Sequence, residues 1–398
     1  MKTLVAALAA TLLAACGQHA ATTSSATSPS AAQMARLGRQ IFFDPTLSAS
    51  GKMACATCHD PQHAYAPNNG LAAQIGGAHL DQPGTRAVPS LRYVLNRTPR
   101  WFKEYQSSEI ERMTETDSVP TGGLTRDGRF NTLHEQATSP LMAANEMANT
   151  DPAAVVGKLK QARYAQEFRR LFGADVFDKP ELAFTKALEA VERFELDDAS
   201  FHPYTSKFDQ YLKGKAELSK AEQRGLLLFA DPNKGNCASC HIAAPGVDGS
   251  PPLFTDYTYA NLGVPRNPRI AANADPKFYD LGLCGPDRKD QAAMTKYCGM
   301  FKTPTLRNVA SRKVLMHNGV FTDLADAVRF YATRESDAKH WYKGGQRYDD
   351  LPANMKDNID VIDAPLNHKA TDKPALTESE VRDIVQFLRT LTDADVAG

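Results

Sequence analysis

Two stretches decide how this chain reads: Cys55-Ala56-Thr57-Cys58-His59 and Cys237-Ala238-Ser239-Cys240-His241. Each follows a short amphipathic helix pattern. Met34, Leu37, Ile41 and Phe42 recur at helical spacing before the first, and Leu218, Leu226, Leu227 and Phe229 before the second. Cys-x-x-Cys-His is the attachment signature of c-type haem. Two thiols add across the two vinyl groups of a porphyrin, and the adjacent imidazole is then held under the iron. A zinc site would need two Cys pairs converging on one ion, and a thioredoxin-like pair has no use for the His. The repetition predicts an all-α chain of two cytochrome c-like helical domains in tandem, each with one covalently bound haem.

Working outward, Ser219 with Glu222 and Thr377 with Glu380 read as capping boxes, the latter opening a stripe of Val381, Ile384, Val385, Leu388 and Leu391. Residues 151–200 read as helices through Val155, Leu159, Leu182, Leu188, Val191 and Phe194, and they lead into a linker near Asp197–Pro203. Gly- and Pro-rich loops at 245–252 and 262–286 argue against a large continuous sheet. We therefore place an N-terminal haem domain at 33–200 and a C-terminal one at 201–398.

The composition, 42% hydrophobic and 23% charged, is that of a globular protein. Forty-six basic residues balance forty-six acidic ones, which gives no reason to expect a nucleic-acid partner. Lys2 followed by an apolar run from Leu4 to Ala15 has the form of a signal peptide, too short to span a membrane. It ends in Leu13-Ala14-Ala15-Cys16, which resembles a bacterial lipobox, so residues 1–16 read as a signal peptide and Cys16 as its lipidation site. Residues 17–32, rich in Ala, Ser and Thr, read as a flexible tether. The expected location is the periplasm, with the membrane touched by a lipid anchor only. In that oxidising setting the two remaining cysteines, Cys284 and Cys298, read as a disulfide closing a Gly/Pro-containing loop, against a redox-active alternative.

The order of several further blocks is similar to that of the bacterial di-haem cytochrome c peroxidase superfamily, which includes the methylamine dehydrogenase maturation enzyme. These blocks are Asp127-Gly128-Arg129 with Leu133, Gln136-Ala137, Pro140 and Glu146-Met147, then Phe301-Lys302-Thr303-Pro304-Thr305-Leu306-Arg307-Asn308-Val309 leading to His317-Asn318-Gly319. The resemblance spans nearly all of residues 34–392. It implies that Gln136, Pro140 and Glu146 line the face of the first haem where peroxide binds, with Glu146 as general acid/base. Taken alone, Glu146 would read as a solvated helix residue. The resemblance also implies His59 and His241 as iron ligands. The second iron's other ligand falls on Tyr331, as in the maturation-enzyme branch, with Met316 as the rival. A phenolate favours oxidised iron, so this ligation implies that peroxide leaves both irons near the ferryl level. The activity implied is reduction of hydrogen peroxide to water, with electrons from a small redox protein such as a cytochrome c or a cupredoxin. The alternatives are a peroxide-driven oxidase that modifies a partner protein, and a non-catalytic electron carrier or peroxide sensor.

The chain also departs from the family pattern. Arg126 stands where a Trp between the haems is usual, and Trp101 could fold back to serve instead. A calcium ion between the haems would use the backbone carbonyls of Arg312 and Val314, but Ala87 falls where an Asn is usual, which leaves calcium open. His63 and His79 could reach the sixth position of the first iron, although the expectation is an open, peroxide-ready site. His317 is expected against haem or its propionates rather than iron.

Overall fold

A computed structural model describes residues 28–93, 96–102, 120–246 and 249–396. The signal peptide, the lipobox with Cys16 and the tether up to residue 27 lie outside them. Helix α1 (Ala31–Phe42) starts at Ser30, whose hydroxyl accepts from the Gln33 N–H while the Gln33 side chain accepts from the Ser30 N–H. The first motif forms a single turn, α2 (Cys55–Cys58). Then follow α3 (Leu133–Met142), α4 (Pro152–Leu159), α5 (Ala165–Phe172), α6 (Pro180–Asp197), α7 (Lys207–Leu212) and α8 (Lys220–Ala230). The second motif sits on a 3-10 turn at Cys237–Ser239, followed by α9 (Leu324–Thr333), α10 (Ala338–Trp341) and α11 (Glu378–Arg389). Ser219/Glu222 and Thr377/Glu380 form reciprocal capping boxes on α8 and α11. Sheet is confined to two antiparallel ribbons, β1 (Ile75–Gly76) with β2 (Gln82–Pro83) and β3 (Tyr259–Ala260) with β4 (Phe301–Lys302), plus isolated bridges.

Two helix crossings carry the packing, and they are built alike. Helix α1 lies on α6, and α8 lies on α11. At each crossing a glycine admits the partner backbone: a Cβ on Gly38 would stand 1.8 Å from the Ala190 carbonyl oxygen, and one on Gly225 2.0 Å from that of Asp383. Four residues on, Phe42 meets Phe194 at 5.4 Å and Phe229 meets Phe387 at 5.3 Å, both edge-on. Around these pairs form a cluster from Leu37 to Phe201 and another from Phe208 to Leu391. Leu182 and Leu227 interrupt the expected stripes and face outward.

The two clusters are clasped together by polar groups. Arg307 pairs bidentately with Asp209 at 3.0 Å, both fully buried, and its guanidinium lies over the rings of Tyr93 and Tyr204. Asp393, past the end of α11, accepts from Arg92 (3.0 Å), from the Tyr93 hydroxyl and from Asn308 (2.7 Å). Cys284 and Cys298 form a disulfide beside β4. Among the described residues, no helix is long and apolar enough to cross a membrane.

Candidate functional site

One continuous cavity of about 1090 Å³ is lined by both Cys-x-x-Cys-His motifs. The four motif cysteines are unpaired. In each motif the imidazole is aimed by a main-chain carbonyl: His59 Nδ1 donates to Tyr65 O at 3.0 Å, and His241 Nδ1 to Phe254 O at 2.9 Å. Both carbonyls belong to residues in the left-handed region, with φ of 53° and 54°. With Nδ1 donating, each Nε2 is left as a bare lone pair, the arrangement a metal-bound imidazole needs. Burial pushes His59 down to about 4, so the ring is neutral at ordinary pH. Two thiols and one such imidazole, twice over on the wall of a largely apolar cavity, fit two covalently bound c-type haems. A buried Arg312 Nη1, without a partner among the described residues, adds a donor suited to an anionic group such as a haem carboxylate.

Gln136, Pro140 and Glu146 all line this cavity. Gln136 and Pro140 share α3, and Pro140, having no N–H, leaves the Gln136 carbonyl without its helical partner. Glu146 lies in the turn beyond α3, a turn pinned from several sides. Met147 N–H donates to Pro140 O and Ala49 N–H to Met147 O, while Gly77 N–H donates to Glu146 O at 2.8 Å. Gly76 of β1 lies so close that its Cβ would stand 2.8 Å from the Glu146 Cα. The side chain is exposed to the cavity. Desolvation by the walls raises its carboxyl above the ordinary value, with Arg129 opposing and Asp287 adding to the rise. Arg129 is itself held by Asp127 (2.7 Å) and Asp287 (3.2 Å). Although burial alone would raise it, Asp127 is held below the ordinary range by Arg86 and Arg129.

Tyr331, on α9, faces the same cavity beside the second motif, and its hydroxyl has no hydrogen-bond partner among the described residues. Burial, then the nearby Cys240 and Cys237, raises its phenol. Met316 also reaches the cavity wall. His317 stacks on Phe301 with centroids 3.7 Å apart.

The structure bears on three alternatives that the sequence left open. Trp101 does not fold back between the motifs; it lies under Arg288 (3.8 Å) and edge-on to Tyr259, off the cavity wall. His63 pairs with Asp60, and neither it nor the exposed His79 lines the cavity, so neither is placed to cap the first iron. The residues around the carbonyls of Arg312 and Val314 do not fit calcium. Ala87 supplies no side-chain oxygen, its carbonyl already accepts from Arg126 Nε at 2.8 Å, and the Val88 carbonyl accepts from Arg312. Among the described residues no group of three His, Cys, Asp or Glu converges as a metal site.

One cavity residue escaped the sequence reading. Glu195, on α6, is 7% exposed, lines the cavity and has no hydrogen-bond partner among the described residues. Burial, with the charge of Glu192, raises it to about 8. The signal was available: Glu195 falls four residues after Val191 and seven after Leu188, on the apolar stripe of its helix.

A comparison with family models matches residues 32–217 to "Di-haem cytochrome c peroxidase". The methylamine utilization protein MauG of Paracoccus denitrificans is 32% identical over 94% of this chain and 92% of its own length. Cytochrome c551 peroxidase of Nitrosomonas europaea is 30% identical over 76% and 74%. The crystal structure of the diheme peroxidase BthA from Burkholderia thailandensis superposes with a TM-score of 0.82 at 38% identity, covering 94% of this chain and 91% of that one. With paired haem-attachment motifs facing one cavity and likeness running almost end to end, this chain belongs to the di-haem cytochrome c peroxidase family.

Proposed function

We propose that the chain is an exported peroxidase that reduces hydrogen peroxide to water, organised as two tandem cytochrome c-like domains with one haem each. Cys55, Cys58 and His59 hold the first haem, and Cys237, Cys240, His241 and Tyr331 the second. When bound, the haem irons supply the redox chemistry; the chain supplies position and protons. Reduction of one peroxide takes up two protons and two electrons and yields two waters. The observation that carries the reading is Glu146, a carboxyl facing the cavity on a turn fixed by backbone hydrogen bonds, with its acidity weakened by its surroundings. Such a group can take the proton from the near oxygen of peroxide and deliver it to the far oxygen, which leaves as water. The Gln136 amide can orient the peroxide, and Pro140 shapes the pocket.

The Glu146→Gln variant keeps the shape and removes the base. It should lower kcat/KM for peroxide by about 10²–10⁴-fold while the haem absorption bands persist. Unchanged turnover would sink the assignment.

A second reading is favoured by the likeness to MauG over 94% of this chain: peroxide-driven oxidation of a partner protein. Tyr331 as the second iron's ligand suits it, since a phenolate stabilises oxidised iron. Mössbauer spectra after adding peroxide to the fully oxidised protein separate the cases. Oxidising equivalents held at both irons without prior reduction support Tyr331, and a need for prior reduction supports Met316. A small redox protein, a cytochrome c or cupredoxin, is the proposed electron donor. Export to the periplasm and anchoring through a lipidated Cys16 complete the proposal.

A further inference from the structure

The seam between the two halves of the cavity is rich in cations. Arg86, Arg126, Arg312 and Lys302 all line it. Three of them have evident partners. Arg86 is taken up by Asp280 and Asp127, Lys302 by the Gly123 carbonyl, and Arg312 in part by the Val88 carbonyl. Arg126 differs. Its backbone carbonyl accepts from Lys302 N–H at 2.9 Å and its Nε donates to Ala87 O at 2.8 Å, so the residue is tied to both sides of the seam. Neither Nη group has a partner among the described residues. A half-buried guanidinium that turns two unused Nη groups into a cavity is costly unless an anion completes it. Burial, then Arg312 and Arg86, lowers Arg126 to about 9, so it still carries its charge at neutral pH.

We infer that Arg126 is the fixed cation of this seam, that its two free Nη groups take haem carboxylates, and that it fills the place a divalent metal ion would need. The inference rests on the di-haem reading and extends it. Each porphyrin brings two propionates, and these are the anions a covalently held haem necessarily delivers to such a wall. Ala87 offers a calcium ion no side-chain oxygen, and its carbonyl already accepts from Arg126. A divalent ion placed here would face Arg86, Arg126 and Arg312 together, whose repulsion in a site of low dielectric opposes its binding.

The test uses the holoprotein, after its haem count has been confirmed as two per chain; fewer would defeat the di-haem reading itself. Calcium is measured by mass spectrometry after dialysis, and melting temperature and both haem midpoint potentials are recorded in EGTA and in millimolar calcium. The expected result is calcium far below one per chain and no change in either quantity. Arg126→Gln removes a buried positive charge, which favours the reduced form, so the potentials of both haems should fall; Arg126→Lys should recover part of that drop. One calcium retained per chain, or loss of stability in EGTA, overturns the inference. So does an Arg126→Gln protein whose potentials match the parent. Should that variant fail to mature, the calcium measurements on the parent protein decide alone.

Discussion

Replacing Gly38 by Ala sets two effects of opposite sign against each other. In an isolated helix the change is favourable by about 1 kcal/mol, since alanine loses less backbone entropy than glycine. In this fold the new methyl would sit 1.8 Å from the carbonyl oxygen of Ala190 and 2.9 Å from the Val191 nitrogen. Restoring ordinary contact requires α1 and α6 to part by roughly 1.5 Å, and a gap of even 0.5–1 Å forfeits about a quarter to a half of each dispersion contact. Overpacking costs about 1–3 kcal/mol where side chains can yield. Here the obstacle is the main chain of an 18-residue helix, so the upper end applies, near 3 kcal/mol. For a unit of this size that corresponds to a fall in Tm of about 6–12 °C. Thermal unfolding of the holoprotein, followed by far-UV circular dichroism and by haem absorption, measures it. Gly225→Ala, whose methyl would meet Asp383 O at 2.0 Å, should behave alike. A Gly38→Ala protein melting at or above the parent temperature would mean that propensity wins and that the close crossing does not hold the fold.

Other consequences can be checked separately. Glu195 keeps its proton up to about pH 8 when folded and has an ordinary value of 4.5, so the folded form binds more protons between those limits and stability falls as pH rises through them. Glu195→Gln should abolish that slope, roughly 1.4 kcal/mol per pH unit at its steepest, and stabilise the protein at pH 8; denaturant titrations at pH 5 and 8 show it. The Cys284–Cys298 bridge closes a loop of sequence separation 14, so the double Ser variant should lose about 3 kcal/mol in the same assay. Tyr331→Phe should alter the optical and EPR signature of the second haem and leave the first unchanged; if neither changes, Met316 is the ligand.

What could be read from the sequence divides along the range of the interactions. The capping boxes at Ser219 and Thr377 and the stripe through Val381 and Leu388 depend on neighbours within one or two turns, and the helices appear where they predict. The crossings were hidden because Gly38 and Gly225 look like weak helix formers until the partner helix is known. Glu195 was hidden by its charged neighbours Glu192 and Arg193, although its phase along α6 pointed inward. Trp101 stood as a possible bridge across space, yet Arg288 and Tyr259 claim it locally. Leu227, counted as core, faces solvent because Gly225 and Phe229 define the contact face of α8. Both motif histidines were evident, but the carbonyls of Tyr65 and Phe254 that orient them depend on backbone φ, which no residue pattern announced.

The bonds from Asp393 to Arg92, Tyr93 and Asn308 also bear on the order of assembly. Every residue of both clusters precedes residue 393, so in a chain that emerges N-terminus first this clasp is among the last contacts it can close. A polypeptide ending a few residues earlier would retain both helix crossings and lack the fastener, which makes nicking near residue 393 a sensitive gauge of how firmly the halves are held.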